Sequence, residues 1–270
     1  MLHSIDHIVI LVSDLDAASA DWARAGFTVT PGGTHAAGTT HNALVSFTDG
    51  TYFELIAFLG TDDKAQEHRW WPRVADGEGL IDYALLSDDL NADSAEARGR
   101  GLEMVGPDDG GRVRPDGQRL EWRSVMLGRG IGDPTLPFVI EDVTARGLRV
   151  PSGDAERHTL GLARVAGLTL VTKNLEESAQ ALTSLLGNPG EDVIVDEGGV
   201  LRFSLGAQWI ALLQPGDDAS EAGQYLRARG EGPYEVTLTG DSDDEGIIMP
   251  GAGDLLPLDQ THGARIRVVG

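Results

Sequence analysis

Short apolar runs alternate along this chain with helical segments of one recurring design. In the first instance the apolar run SIDHIVILV precedes Asp14, a favourable N-cap residue, and the following helix ends at Gly26, which suits the left-handed position after a helix. One face of this helix is apolar and is formed by Leu15, Ala18, Trp22 and Ala25. The pattern predicts a strand followed by an amphipathic helix.

The same design recurs twice. LIDYALLS precedes Asp89 and a helix that closes at Gly101, and RVAGLTLVT precedes Asn174 and the helix EESAQALTSLL, which ends at Gly187. After each helix we predict three strands: FTVTP, 43–48 and 52–58 in the first unit, LEMV, RLEWRSVML and LPFVIED in the second, and DVIVDE, VLRFSL and QWIALLQ in the third. An internal repeat of this kind indicates the fold more strongly than local propensity does.

A fourth, degenerate unit ends the chain. PYEVTLTG, GIIMPG and ARIRVVG are predicted strands, but no helix separates the first two. The sequence therefore predicts an α+β fold of four βαβββ modules, the last of them degenerate. We take residues 1–148 and 158–270 as two domains, joined through the segment 142–163, which we predict to be an ordered crossover.

Composition restricts the partners of this chain. Its 270 residues carry a formal net charge of −22, and this field repels phosphate backbones and anionic membranes, so we expect no nucleic acid and no membrane partner and favour cationic ligands. The chain has no cysteine, which excludes disulfides, thiol nucleophiles and cysteine-ligated metals. It shows no signal sequence and no run of about 18 apolar residues, so we expect a cytoplasmic protein.

Two polar side chains stand inside apolar strands. Glu54 interrupts YFELIAF, and His7 interrupts SIDHIVILV. An ionised carboxylate in such a setting is costly unless a group pairs with it or binds it. Three interpretations follow: a pair of metal ligands, a pocket without metal, or a purely structural pair.

The repeat resembles the vicinal oxygen chelate superfamily, and this sequence is most similar to its glyoxalase-like branch. The stretches that carry the resemblance are DHIVILVSDLDAA, GTTHNALVSFTDGTYFELIAF, RPDGQRLEWR, LPFVIEDVTARGLRVP and THGARIRVV. The resemblance implies that pairs of modules curve into two cup-shaped mixed sheets. It also implies one divalent metal ion (Zn, Ni, Mn, Co or Fe) held by residues on the first and last strands that line a cup.

Under this resemblance the N-terminal cup carries the site. His7 and Glu54 occupy ligand positions in the first module. In the second module Asp82 aligns with His7, and Phe138 or Ile140 aligns with Glu54. His41 completes a two-histidine, one-carboxylate set, contacts substrate, or is an ordinary turn histidine. In the third module Gly167 and Ala211 stand at the ligand positions, so we expect the C-terminal cup to hold no metal.

Further residues are candidates for substrate contact: Thr40, Asn42, Tyr52, Trp122 and Arg123. HRWWPR, residues 68–73, is either a lid or a connector buried between modules, and we favour the connector. GPDDGG and DSDDEG are predicted to be solvated turns, and His3, His68, His158 and His262 to be surface residues in connecting segments.

The resemblance implies a metal-dependent lyase or isomerase that acts on a small substrate with vicinal oxygens, with Glu54 as ligand or catalytic base. Two alternatives remain open: a binding protein of the bleomycin-resistance type without catalysis, and a non-haem iron oxygenase. The oligomeric state is left open, with a homodimer as one option.

Overall fold

The computed structural model describes residues 2–128, 131–195, 198–240 and 248–270. The first half contains two modules. Their elements are β1 (Ile5–Leu11), α1 (Leu15–Arg24), β2 (Thr30–His35), β3 (Thr40–Ser46), β4 (Tyr52–Phe58), α2 (Asp63–Gln66), a 3₁₀ turn (Trp71–Asp76), β5 (Gly79–Leu86), α3 (Leu90–Gly99), β6 (Val105–Val113), β7 (Arg119–Met126), β8 (Phe138–Asp142) and α4 (Arg146–Arg149). The predicted order of strands and helices is confirmed in both modules.

These strands close into a barrel in the order β1-β4-β3-β2-β6-β7-β8-β5. The strand β1 pairs parallel to β4, where His7 stands opposite Tyr52, and antiparallel to β5, where His7 stands opposite Ala84. The two modules therefore meet along β1 and β5, and His7 projects from the seam between them.

The second half begins after a 3₁₀ turn at Gly153–Glu156. Its elements are β9 (Arg164–Val171), α5 (Leu175–Leu186), β10 (Glu191–Val195), β11 (Gly198–Leu205), β12 (Gln208–Pro215), α6 (Glu221–Arg229), β13 (Gly232–Thr239), β14 (Asp254–Leu255) and β15 (Ile266–Val269). Its sheet has the order β10-β11-β12-β9-β13-β15-β14. The α+β class, the four modules and the two mixed sheets are thus confirmed. No helix among the described ranges is long and apolar enough to cross a membrane.

The predicted helix boundaries rest on side-chain caps that the structure contains. The side chains of Asp14, Asp89 and Asn174 each accept a backbone N–H from the first turn of their helix. Gly187 adopts the left-handed conformation (φ 75°) at the end of α5. The helix caps therefore identify the repeat as clearly as the apolar pattern does.

The prediction of a solvated turn at GPDDGG was wrong. GPDDGG does not form a solvated turn but lies within β6, which pairs with β7 from Val105 to Val113. A side chain on Gly110 would overlap the indole ring of Trp122, and one on Gly111 would crowd the Leu120 carbonyl. These glycines therefore allow close approach of β7 rather than a turn.

The degenerate module also differs from its prediction. Of GIIMPG, residues 246–247 lie outside the described ranges, as does DSDDEG, and residues 248–251 form no strand. The short strand β14 supplies the pairing with β15 instead.

Polar side chains connect the two halves. The Gln208 side chain accepts the backbone N–H of Ile5 at 2.7 Å and donates to Thr51 Oγ1 at 2.9 Å. Arg229, at the end of α6, donates to the carbonyls of Asp76 and Glu78. His262, expected at the surface, lies between Asp21 and Glu78, at 3.1 and 2.8 Å. The strand that carries His7 is thus anchored from the other half.

In the C-terminal sheet, the space that corresponds to the barrel cavity is occupied by side chains. Gly167 pairs with Trp209 as His7 pairs with Tyr52, and Thr169 pairs with Ala211 as Val9 pairs with Glu54. The Trp209 indole covers Gly167 so closely that a Cβ there would overlap the ring. Residues of α6 complete this apolar cluster: Ala222, Tyr225 and Leu226.

We expect Gly167→Ala to destabilise the protein by about 1–3 kcal/mol, because the added methyl must push the buried indole aside. Urea unfolding measures this loss. Gly60→Ala is the matched control, since no atom lies within 4 Å of its Cβ position. Equal stability of the two variants would show that the indole does not fill the space over Gly167.

Candidate active site in the barrel cavity

The barrel encloses a cavity of about 240 Å³. Polar groups line one part of it, including His7, His35, Asn42, Glu54 and Arg112, and large apolar side chains line another, including Trp70, Trp122, Met126, Phe138 and Ile140. A few polar groups among apolar walls are typical of small-molecule sites, and this volume lies below the ~300–1,000 Å³ of pockets for drug-sized ligands. The cavity therefore fits a small metabolite.

Glu54 forms the polar centre of the cavity. The side chain of Asn42 donates to Glu54 Oε1 at 2.6 Å, His35 Nε2 lies 3.3 Å from the same oxygen, and His7 Nε2 lies 3.5 Å from Oε2. Burial alone would raise the pKa of the Glu54 carboxyl, but the hydrogen bonds from His35 and His7 and their charges hold that pKa well below its usual range. Glu54 is therefore an ionised carboxylate.

Each imidazole is held by a hydrogen bond at its Nδ1 atom. His7 Nδ1 lies 2.6 Å from Asp6 Oδ1, and His35 Nδ1 lies 2.8 Å from Thr40 Oγ1. The His7 ring also stacks on Tyr52, with centroids 4.7 Å apart. Burial alone would lower the pKa of His7, yet its contacts with Asp6 and Glu54 raise that pKa above the ordinary value. Both Nε2 atoms are thereby oriented toward Glu54.

Asp6 is fully buried and is held by two arginines. Arg149 donates to both of its oxygens at 2.8 Å, and Arg146 Nη1 lies 2.5 Å from Oδ2. Burial alone would raise the pKa of Asp6, but the charge and hydrogen bonds of Arg149, with those of His7, hold it well below its usual range. Arg149 also donates to Asp142 and to the Tyr52 hydroxyl. The segment after β8 thus closes the barrel with a buried ion network.

Arg112 connects this network to the cavity. Its Nη2 donates to the Arg149 carbonyl at 2.6 Å, and its Nη1 donates to Asn42 Oδ1 at 3.1 Å. A side chain at Gly32 would overlap Asn42 and Arg112, so a glycine is required there. The Asn42 amide consequently bridges Arg112 on one side and Glu54 on the other.

Aromatic side chains form the other wall. The Arg69 guanidinium lies 4.5 Å from the ring centroids of both Trp70 and Phe138, and the Trp70 indole donates to Asp82 at 2.7 Å. The Trp122 ring packs on Gly110 and stands perpendicular to the His35 ring. HRWWPR therefore contributes His68, Arg69 and Trp70 directly to the cavity.

Most of the residues predicted from sequence meet in this cavity. His7, Glu54, Thr40, Asn42, Tyr52 and Trp122 all line it. His41 lies between Thr40 and Asn42 on β3 and so faces the other side of the strand. Asp82 is held by Arg69 and Trp70, and Arg123 forms an ion pair with Glu141; neither lines the cavity.

Several cavity residues were missed from the sequence. His35 and Arg112 lie on the glycine-rich strands β2 and β6, which show no apolar alternation. Arg149 lies on α4, outside the predicted domain 1–148, and His68 was expected at the surface. The prediction for His158 was also wrong, since this buried imidazole accepts the Thr28 N–H at 3.0 Å. Arg149 lies in the stretch LPFVIEDVTARGLRVP that carries the resemblance, but nothing in that stretch assigned it a role.

The donor set does not fit the metal site that the resemblance implies. Val9 pairs with Glu54 in the first module, and Ala84 pairs with Phe138 in the second, so an apolar ring stands where a second carboxylate is needed. The Asp82 carboxylate is already bound by Arg69 and Trp70. Within the described ranges, no group of three histidine, aspartate or glutamate side chains is arranged to hold a metal ion.

Residues 5–186 match a family model described as a glyoxalase-like domain. No curated protein matches the chain in sequence. A solved hypothetical protein from Staphylococcus aureus has a TM-score of 0.71 at 14% identity, over 98% of this chain and 99% of that one. A mutant of 4-hydroxymandelate synthase from Streptomyces coelicolor has a TM-score of 0.60 at 16% identity, over 89% and 72%. At these identities the likeness shows the fold alone.

We expect Arg149→Ala to destabilise the protein by about 3–5 kcal/mol, because it leaves the buried Asp6 carboxylate without its bidentate partner. Arg157→Ala, which removes an exposed ion pair with Asp154, should cost at most about 1 kcal/mol. Urea unfolding compares the two losses. If they are alike, the Asp6–Arg149 pair does not stabilise the barrel.

The pH dependence of His68 gives a second test. Burial and the charge of Arg69 lower the pKa of His68 to about 4. Since an unfolded histidine titrates near ~6.5, the folded state resists protonation and loses stability as pH falls from about 6.5 to about 4.

In His68→Gln this loss should be smaller by roughly 1–2 kcal/mol, after allowance for partial exposure. His3→Gln, at a half-exposed surface position, is the control. An NMR titration of the His68 ring with a midpoint near that of a free histidine would contradict the prediction.

Proposed function

Because the chain belongs to the glyoxalase-like domain family, within the vicinal oxygen chelate superfamily that its sequence resembles, we propose that the barrel cavity is the active site of a lyase or isomerase. Its substrate is a small molecule with oxygens on two adjacent carbons. The observation that supports this proposal is the buried Glu54 carboxylate at the polar centre of the cavity, facing two imidazole Nε2 atoms.

The arrangement suits proton transfer. Glu54 is ionised and accepts a proton from a carbon next to a carbonyl group. The His7 Nε2–H lies beside it and donates a hydrogen bond to the oxygen on which negative charge develops. The low basicity of Glu54 is offset by this stabilisation of the enolate oxygen. His7 gives its Nε2 proton to that oxygen and takes the proton of the adjacent hydroxyl in exchange, while the protonated carboxyl returns its proton to the neighbouring carbon.

The surrounding groups hold this pair in place. Asp6 fixes the ring of His7, Thr40 fixes that of His35, and Asn42 fixes the Glu54 carboxylate. The apolar wall around Phe138 excludes water from the enolate and strengthens the hydrogen bond that stabilises it. This sequence of steps uses only side chains.

The proposal predicts hydrogen–deuterium exchange at the hydroxyl-bearing carbon next to the carbonyl group of hydroxyacetone and of 2-hydroxyacetophenone. We expect Glu54→Gln to reduce the enzymatic exchange rate by about 10²–10⁴-fold, as for loss of a general base. Proton NMR in D₂O measures the exchange. Asp154→Asn, at an exposed carboxylate outside the cavity lining, is the control and should exchange as the wild type does.

Other outcomes would replace this proposal. Binding of both compounds without exchange would favour the binding-protein alternative. Elemental mass spectrometry of the same preparations tests the divalent metal that the resemblance implies. About one equivalent of metal in the wild type, lost in a His7→Asn variant, would favour a metal-dependent mechanism or an iron oxygenase over transfer by side chains alone.

A further inference from the structure

We propose that the cavity recognises its ligand through a carboxylate group, bound by Arg112, so that the substrate is a 2-oxo or 2-hydroxy acid. This inference rests on the proposed function in that it concerns the same cavity. It adds the chemical class of the substrate and assigns the binding residue.

The first support is the state of the Arg112 side chain. It is 3% exposed and lines the cavity. A guanidinium has five N–H donors, whereas the partners of Arg112 among the described residues are two neutral oxygens, and its Nε has none. A buried cation without an anionic partner is costly. A ligand carboxylate would supply that partner.

The second support is the contrast with the neighbouring arginine. Arg149 is equally buried, but it is fully ion-paired, with Asp6 and Asp142. Arg69 at the aromatic wall is paired with Asp82. Among the described residues, Arg112 therefore differs from the other arginines of the cavity in having no carboxylate as a hydrogen-bond partner.

The third support is the local charge. The arginines that line the cavity are Arg69, Arg112 and Arg149, whereas Glu54 and Asp109 are the carboxylates that line it. The net charge of −22 predicted a cationic ligand, but that charge describes the whole surface. Since Arg69 and Arg149 are already paired with carboxylates behind the lining, Arg112 is the lining arginine whose charge a ligand anion would balance.

The position of Arg112 then indicates where the acid carries its second oxygen. The Asn42 amide separates Arg112 from Glu54, accepting from the first and donating to the second. A carboxylate on Arg112 therefore places the adjacent, oxygen-bearing carbon toward Glu54 and His7. The buried Thr39 hydroxyl, which also lines the cavity and has no partner among the described residues, offers a further donor.

The remaining part of the ligand meets the apolar wall. Trp122, Met126 and Phe138 face the cavity, so an aromatic or branched substituent on the acid would be buried against them. Phenylglyoxylate combines a 2-oxo acid with a phenyl ring. Phenylglyoxylamide has nearly the same shape without the charge, and the two compounds form a matched pair of probes.

Isothermal titration calorimetry with EDTA present measures binding of both probes. We expect the wild type to bind the acid at least about tenfold more tightly than the amide, because bidentate arginine–carboxylate bonds are charge-assisted. Arg112→Gln should remove this preference, and Arg112→Lys should retain part of it. Arg119→Gln, an exposed arginine on the same barrel, should bind as the wild type does.

A measurement on the wild type covers the case in which the Arg112 variants do not fold. The Nε–H resonance of Arg112 in a ¹H–¹⁵N spectrum should move downfield with phenylglyoxylate and not with the amide. Equal affinity for the two probes, no binding of either at millimolar concentration, or a preference that persists in Arg112→Gln would overturn the inference.

The two proposals fail separately. Glu54→Gln should still prefer the acid, because the carboxylate contact does not involve Glu54. Arg112-dependent binding without any proton exchange would refute the proposed reaction and leave the recognition of acids intact. Exchange of the neutral ketones together with no preference for the acid would refute the recognition of acids and leave the proposed reaction intact.

Discussion

One buried ion pair, that between Asp6 and Arg149, connects the closing segment of the barrel to the polar groups of the cavity. Asp6 is fully buried beside the histidine of the site, and Arg149 reaches it from the segment that follows the last strand of the barrel. The side chain of Arg149 orients Asp6 and Tyr52, which in turn hold His7. Its backbone carbonyl orients Arg112. Arg112, Asp6 and Tyr52 bond directly to this arginine, His7 and Asn42 lie two hydrogen bonds from it, and Glu54 lies three.

The two halves show that the same module can form a sheet with an open cavity or one whose cavity is occupied by side chains. In the barrel, His7 and Glu54 occupy positions that are polar, buried and held by further polar groups. In the second sheet the equivalent positions are Gly167 and Ala211, and Trp209 occupies the space over the glycine. A cavity needs a supporting network to keep it polar and open, and the second sheet has an apolar cluster under α6 in its place.

The sequence predicted the repeated modules well because caps and apolar periodicity are local signals. Asp14, Asp89 and Asn174 cap their helices as expected, and the strands that carry His7 and Glu54 are apolar enough to be recognised. The same strands gave the central residues of the candidate site, since a charged group in an apolar run is conspicuous.

His35 and Arg112 were not predictable in this way. Their strands contain glycines such as Gly32 and Gly110, which are present because Asn42 and Trp122 approach the backbone closely. Close approach across a sheet is a tertiary property, so it leaves no periodic pattern in the sequence. The role of Arg149 likewise depends on a long-range contact, with Asp6.

The hydrogen bond from Ile5 to Gln208 has a further consequence. It links the first strand of the barrel to a side chain 203 residues later, on the filled sheet. His7 stands two residues beyond that link, and Gln208 is adjacent to Trp209, which fills the second cup. The second half, whose described residues place glycine and alanine at the positions of His7 and Glu54, thus holds the first strand of the barrel through this bond. Repacking around Trp209 would therefore be transmitted to the imidazole of His7 as a displacement of its strand.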